Sequence, residues 1–167
     1  MTPLATGAAP PRALPLDALP GSAGGQLQPP VLALTYGTFD LFHIGHVRLF
    51  ERIKQRCDRL IVAVSTDEFN AVKGKRSVVA FADRVAMVKA CRHVDEVIAE
   101  EGWAQKPRDI RAFGVDLFVM GDDWTGRFDE LKPLCEVLYL PRTLGVSSTE
   151  LKQTIRTGAQ TQAAGAA

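Results

Sequence analysis

Five short apolar runs, each separated from the next by a stretch of helical spacing, constrain the fold of this chain more than any other feature. They are Val31 to Tyr36, Leu60 to Val64, Val94 to Ile98, Leu117 to Met120 and Val137 to Leu140. Strands joined by helical crossovers lie parallel in one sheet, so this alternation predicts a parallel sheet of five strands. Nearly unbroken apolar strands imply that helices cover both faces. The intervening segments supply them: Val47, Phe50, Ile53 and Cys57 share one helical face, then Val85, Val88 and Cys91, then Ile110 and Phe113. Pro107 falls where the last of these helices would begin, a position that tolerates its missing N–H. The expected fold class is α/β: a single Rossmann-like doubly wound domain with a five-stranded parallel sheet.

Such a sheet takes its ligand at the carboxyl ends of its strands, near the point where strand order reverses. The chemically suggestive residues all fall at that end. Gly37 to His46 follows the first strand, Ser65 to Lys75 the second, Gly121 to Trp124 the fourth and Arg142 to Thr149 the fifth. No GxGxxG follows any strand, which argues against a dinucleotide-dependent oxidoreductase.

A chain of 167 residues can bury one good core. Its expected division is a disordered Pro/Gly/Ala-rich extension over 1–30, a folded domain over 31–157 and a flexible tail over 158–167. The extension holds seven of the ten prolines and only Arg12 and Asp17 as charges, too little material for a core. A net charge of +1 argues against a broad electrostatic grip on nucleic acid or an anionic membrane. No segment approaches the roughly 20 apolar residues of a membrane span. Cys57, Cys91 and Cys135 are odd in number and widely spaced, which suggests neither a disulfide framework nor a zinc site and fits a reducing cytoplasm.

Within Gly37-Thr38-Phe39-Asp40-Leu41-Phe42-His43-Ile44-Gly45-His46, a glycine turn runs into a predicted helix carrying two of the three histidines. A helix N-terminus attracts anions, because its first N–H groups lack intrahelical partners and its dipole is positive there. Gly45 would let a phosphate approach the backbone. His43 and His46, three apart, would share one face at the open end, aiming imidazole N–H groups at a phosphate that gains charge. With ordinary pKa values near 6.5, a bound triphosphate could drive them to the protonated form. Ser147-Ser148-Thr149-Glu150, ahead of Leu151 and Ile155, reads as a capping box, and with Arg142 and Gly145 before it forms a second anion site. Lys73-Gly74-Lys75-Arg76 is a basic loop at the same end. Asp40 and Asp123, at strand ends, suit either helix capping or positioning of Mg²⁺. Trp103 and Trp124 suit ligand stacking or packing, and Arg84 suits structural or subunit contacts.

GTFDLFHIGH, the run Arg142 to Thr149, and the segments Ser65 to Asn70, Val119 to Trp124 and Leu140 to Thr143 together resemble the nucleotidyltransferase superfamily that carries an HxGH motif. Within it the chain looks most like the glycerol-3-phosphate cytidylyltransferase family, over about Leu34 to Arg156. The resemblance implies the HUP-type nucleotidyltransferase fold and transfer of CMP from CTP to sn-glycerol 3-phosphate, giving CDP-glycerol and pyrophosphate. It implies His43, His46, Lys73 and Arg142 as catalytic residues. CTP would lie along Thr38, Phe39, His43, Ile44, Gly45 and His46, with Lys75, Arg92, Asp123, Arg142, Thr143, Gly145, Ser147, Ser148 and Thr149. Lys73 and Lys106 would hold the acceptor phosphate; Asp40, from its place at a strand end rather than from the resemblance, is the residue expected to serve Mg²⁺. It further implies a cytoplasmic homodimer supplying teichoic acid or related surface polymers. Leu144 stands where the family pattern has Glu, and Ser148 where it has Thr, which keeps the hydroxyl. The competing readings are nucleotidyl transfer to another phosphorylated alcohol (a sugar phosphate, ethanolamine phosphate or flavin mononucleotide) and a non-catalytic nucleotide-binding protein.

Overall fold

A computed structural model describes residues 29–158, so the expected extension and tail lie almost wholly outside the described residues. Strands β1 (Leu32–Gly37), β2 (Arg59–Ser65), β3 (Glu96–Glu100), β4 (Leu117–Gly121) and β5 (Glu136–Leu140) form one sheet in the order β3-β2-β1-β4-β5. Every pairing is parallel. The crossovers carry α1 (Ile44–Lys54), α2 (Asp67–Val72), α3 (Phe81–Lys89) and α4 (Gln105–Phe113), and α5 (Ser148–Thr157) follows the last strand. Two 3₁₀ turns, Asp122–Trp124 and Asp129–Leu131, fill the connection between β4 and β5.

Alternation along the strands divides the core between the two faces. Ala33, Leu60, Val62, Val64, Leu117 and Val119 pack with Phe50 and Ile53 of α1 and Val88 of α3. Their neighbours Leu34, Tyr36, Ile61, Ala63, Phe118 and Met120 pack on the other face with Ile110 of α4 and with Phe128 and Leu131. Both faces are dry, which is why the strands read as continuous apolar runs rather than alternating ones. The three cysteines are free and half-buried against these cores.

Differences from the sequence reading are local. β3 begins two residues later than the Val94 to Ile98 run. The six-residue α2 was not expected; Thr66 caps it by accepting from the Phe69 N–H at 3.1 Å. Pro107 is the third residue of α4 rather than the first, still among the positions whose N–H has no helical acceptor. Strand order reverses between β1 and β4, and the crevice lies above that pair.

Candidate active site

A cavity of about 490 Å³ opens above the carboxyl ends of β1 and β4. The turn after β1 forms its floor. Phe39 and Leu41 adopt left-handed backbone with φ of 51° and 48°, a cost of roughly 1–3 kcal/mol each for side-chain-bearing residues. Burial of the Phe39 ring maintains this shape. The ring lies over Gly37, where a Cβ would come within 2.7 Å of the Phe39 Cζ, and contacts Phe50 and the edge of His46.

The turn delivers His43 to the N-cap of α1. Its Nδ1 accepts from the Gly45 N–H at 3.0 Å, while the His46 Nδ1 accepts from the His43 N–H at 3.4 Å, a reciprocal cap built from two imidazoles. The rings stack with centroids 3.9 Å apart. Because both Nδ1 atoms accept, the proton of each neutral ring sits on Nε2. Burial lowers the pKa of His43, though Glu150 opposes this. His46 is pushed down to about 3 by burial and then by His43, against the pull of Asp40. The ligand-free site therefore holds two neutral Nε2–H donors. Protonation of either ring by a bound triphosphate, as expected from sequence, would have to displace a backbone cap.

The start of α5 meets the start of α1 here. Ser147 caps α5 by accepting from the Glu150 N–H at 3.1 Å. The Ser148 hydroxyl donates to the Asp40 carbonyl at 2.7 Å and lies 3.4 Å from the His43 Nε2. Two helix N-termini thus converge on one spot with both imidazoles, a concentration of N–H donors and positive dipole suited to a polyphosphate.

Asp40 has a different task from the metal role expected of it. Its carboxylate is buried and accepts from the N–H groups of Leu41 at 3.1 Å, Val78 at 2.9 Å and Val79 at 2.9 Å, with the Lys152 ammonium at 2.7 Å. Burial raises its pKa, but Lys152 and the two amides more than offset this and hold it below the usual carboxylate range. Asp40 is a latch joining the β1 turn, the loop before α3 and α5. Asp123 is engaged too, accepting from Arg142 at 2.6 Å, and Gly121 leaves it room, since a Cβ there would stand 2.6 Å from its Oδ1. Arg84 is fully buried and donates to the carbonyls of Thr38, Ser65 and Val79 and to Asp67, a structural tie beneath the site.

On the far side of the crevice lies a cluster that sequence reasoning only half found. Lys106 pairs with Glu100 at 2.7 Å, and Lys73 lies 3.4 Å from the other oxygen of that carboxylate and 2.7 Å from the Ser65 hydroxyl. Trp103 covers both ammonium groups, and Tyr36 underlies Lys106 at 4.3 Å. Glu100 had no sequence signal beyond being an acid at a strand end. Its partners come from the α2 loop and α4.

Of the expected site residues, Thr38, Phe39, Asp40, His43, Gly45, His46, Lys73, Lys75, Lys106, Asp123, Arg142, Thr143, Ser147, Ser148 and Thr149 line this one cavity, and Trp103 and Trp124 join them. Arg76 of the basic loop lines it as well, as do Arg52, Glu100 and Lys152, which were not foreseen. Ile44 is half exposed outside the cavity, and Gly145 shapes the preceding turn with φ of 74°. Arg92 is a correction. It lies in the turn entering β3, at the amino end of the sheet, and donates to the neighbouring His93 ring at 3.3 Å. Within one chain the crossover carries it away from the strand ends where the cavity opens. Leu144 is 93% exposed, so the missing acid leaves no gap in the cavity wall. Seven basic side chains line the cavity against three acidic ones, although the whole chain carries only +1.

A parallel α/β sheet with two helix ends and a basic crevice at its switch point defines a protein that binds a phosphorylated ligand such as a nucleotide. The chain belongs to the cytidylyltransferase-like family, which it matches over residues 34–155. It is 54% identical over 122 residues to the glycerol-3-phosphate cytidylyltransferase of Bacillus subtilis (strain 168), covering 73% of this chain and 95% of that protein. Over 120 residues it is 53% identical to the enzyme of the same name from Staphylococcus aureus (strain NCTC 8325 / PS 47), covering 72% of this chain and 91% of that one. Among solved structures, the lipopolysaccharide core biosynthesis protein from Thermoplasma volcanium GSS1 superposes with a TM-score of 0.60 at 19% identity, covering 69% of this chain and 99% of that chain. At that identity the likeness bears on the fold alone, a single α/β domain built on a five-stranded parallel sheet.

Proposed function

We propose that this protein transfers CMP from CTP to sn-glycerol 3-phosphate, releasing pyrophosphate and CDP-glycerol. The observation that carries this reading is the presence of two anion stations in one crevice: the α1 and α5 N-termini with His43 and His46, and the Lys73–Glu100–Lys106 cluster opposite. The first suits the triphosphate, with Arg142, Lys75 and the free N–H groups of α5 on its outer phosphates. The second suits the phosphate of the acceptor. The identity to two glycerol-3-phosphate cytidylyltransferases over more than nine-tenths of their length supports the choice of substrates.

Chemically, an acceptor phosphate oxygen attacks the α-phosphorus as the bond to the bridging oxygen of pyrophosphate breaks in line. Alignment and charge stabilisation carry such a transfer, and no protein nucleophile is required. The Nε2–H donors of His43 and His46 would stabilise charge gathering around the α-phosphate without giving up a proton.

Mg²⁺ is part of the same proposal, as a counter-ion to the triphosphate. The protein carboxylates of the cavity do not form a ready seat for it, because Asp40, Glu100 and Asp123 are each engaged by a lysine or arginine. We assign it to triphosphate oxygens and water rather than to Asp40. The proposal extends to a cytoplasmic homodimer feeding surface-polymer synthesis; among the described residues, no helix is long and apolar enough to cross a membrane.

Pyrophosphate release tests the central claim, with CTP and ATP crossed against glycerol 3-phosphate, ethanolamine phosphate and sugar phosphates. Release confined to CTP with glycerol 3-phosphate is expected. Activity with another pair would overturn the substrate assignment, and CTP binding without any product would favour a non-catalytic role.

A further inference from the structure

Glu100 is unusual among the cavity acids, because it is buried and faces two cations at once. One oxygen meets the Lys106 ammonium at 2.7 Å; the other meets the Ser65 hydroxyl and lies 3.4 Å from Lys73. The position follows from sheet register, since Glu100 is the last residue of β3 and pairs with Ser65, the last of β2. Aromatic rings wall the ammonium groups: Phe69 lies 4.3 Å from that of Lys73, and Tyr36 lies 4.3 Å from that of Lys106.

Two ammonium groups in so dry a place repel one another and favour losing a proton or swinging out to water. A carboxylate between them prevents both. We propose that Glu100 is a positioning residue of the acceptor subsite, holding Lys73 charged beside Lys106 so that the pair forms a ready clamp for the phosphate of the acceptor. This rests on the function proposed above, in which these lysines receive that phosphate.

The surroundings of Lys73 agree. Burial pushes its pKa below the usual lysine value, Lys75 and Lys106 push the same way, and Glu100 pulls it back. The other titratable groups facing the cluster are Tyr36 of β1 and Asp109 of α4, and the Tyr36 hydroxyl donates to Asp109 at 2.9 Å. That pair is satisfied internally and leaves Glu100 as the carboxylate bonded to the lysines.

The test uses the full chain with ¹³C-labelled lysine side chains, titrated by NMR, beside calorimetric binding of glycerol 3-phosphate and of inorganic phosphate from about pH 6.5 to 9. In Glu100→Gln the Lys73 titration should fall by about 1–3 pH units, the range an opposite charge at this distance governs. Phosphate affinity should then drop roughly tenfold or more toward the alkaline end relative to wild type. Glu100→Asp, which keeps the charge, should retain most of the wild-type profile. Lys106→Met, whose side chain suits the aromatic wall, should move the Lys73 titration upward by removing a repelling charge, so the idea stays testable if Glu100→Gln fails to fold. A Lys73 titration and binding profile unchanged in Glu100→Gln would overturn the clamp, as would a wild-type protein that binds neither phosphate probe. Wild-type binding without product formation, with the Glu100→Gln shift intact, would sustain the clamp and overturn the function instead.

Discussion

His43 both caps α1 and presents a donor to the cavity, and one substitution can separate the two tasks. Asparagine ranks among the best N-cap residues, so in His43→Asn the side-chain oxygen can replace the Nδ1 atom that now accepts from the Gly45 N–H at 3.0 Å. The Nε2–H beside Ser148 is lost. Alanine loses both. Loss of the cap is worth about 1 kcal/mol, and loss of a donor aimed at developing charge about 3 kcal/mol in the barrier. Urea titrations should therefore place His43→Asn close to wild type, with His43→Ala melting at a midpoint roughly 0.5 M lower. Pyrophosphate release should fall on the order of 10²-fold in both variants, chiefly in turnover, with CTP affinity changed far less. Near-normal turnover in His43→Asn would refute the donor role. Equal destabilisation of the two variants would refute the cap argument.

Other expectations follow from the same geometry. Histidine ring NMR of the ligand-free protein should find His46 still neutral near pH 5, since burial and His43 hold its pKa at about 3; a midpoint near the ordinary value would contradict the two-imidazole cap. The linked stability is complete above the unfolded-state pKa of about 6.5 and erodes as pH falls from there toward about 3, because the unfolded chain binds the proton more readily. Asp40→Asn should lose about 3 kcal/mol at neutral pH in chemical denaturation, discounted because Lys152 can return partly to water; a loss under about 1 kcal/mol would mean the latch is not structural. Its difference from wild type should shrink as pH falls below the ordinary carboxylate value of about 4 and through the lower pKa that folded Asp40 carries. Gly45→Ala places a Cβ 2.8 Å from the His43 Cε1 and 2.9 Å from its Nδ1, so the ring must turn and kcat/KM should fall by roughly 10²-fold with little change in denaturation midpoint. Wild-type kcat/KM in that variant would show that the ring position is not critical.

Much of this was legible before the fold was known, and the reasons are physical. A strand covered on both faces must be apolar at every position, so the five runs stood out, and a parallel sheet places its ligand at one known edge. The turn, the capped helix starts and the basic loop after β2 are contiguous in sequence, because a turn and the helix it starts act over a few residues. The short α2 escaped notice because one turn and a half has no period to detect, and its Val72 is exposed.

The sequence alone therefore determined the architecture, the edge that carries the site, and the identity of its local anion-binding devices. It could not settle which charges remain free to meet a ligand. Asp40 read as a metal ligand until residues 78, 79 and 152 were found to occupy its oxygens, and Arg92 read as a nucleotide contact until the crossover carried it to the other end of the sheet. The mutual capping of the two imidazoles and the pairing of Glu100 with two lysines were likewise decided by tertiary structure. Burial and partners from distant segments set the energy of a charge, and neither is a property of a residue and its immediate neighbours.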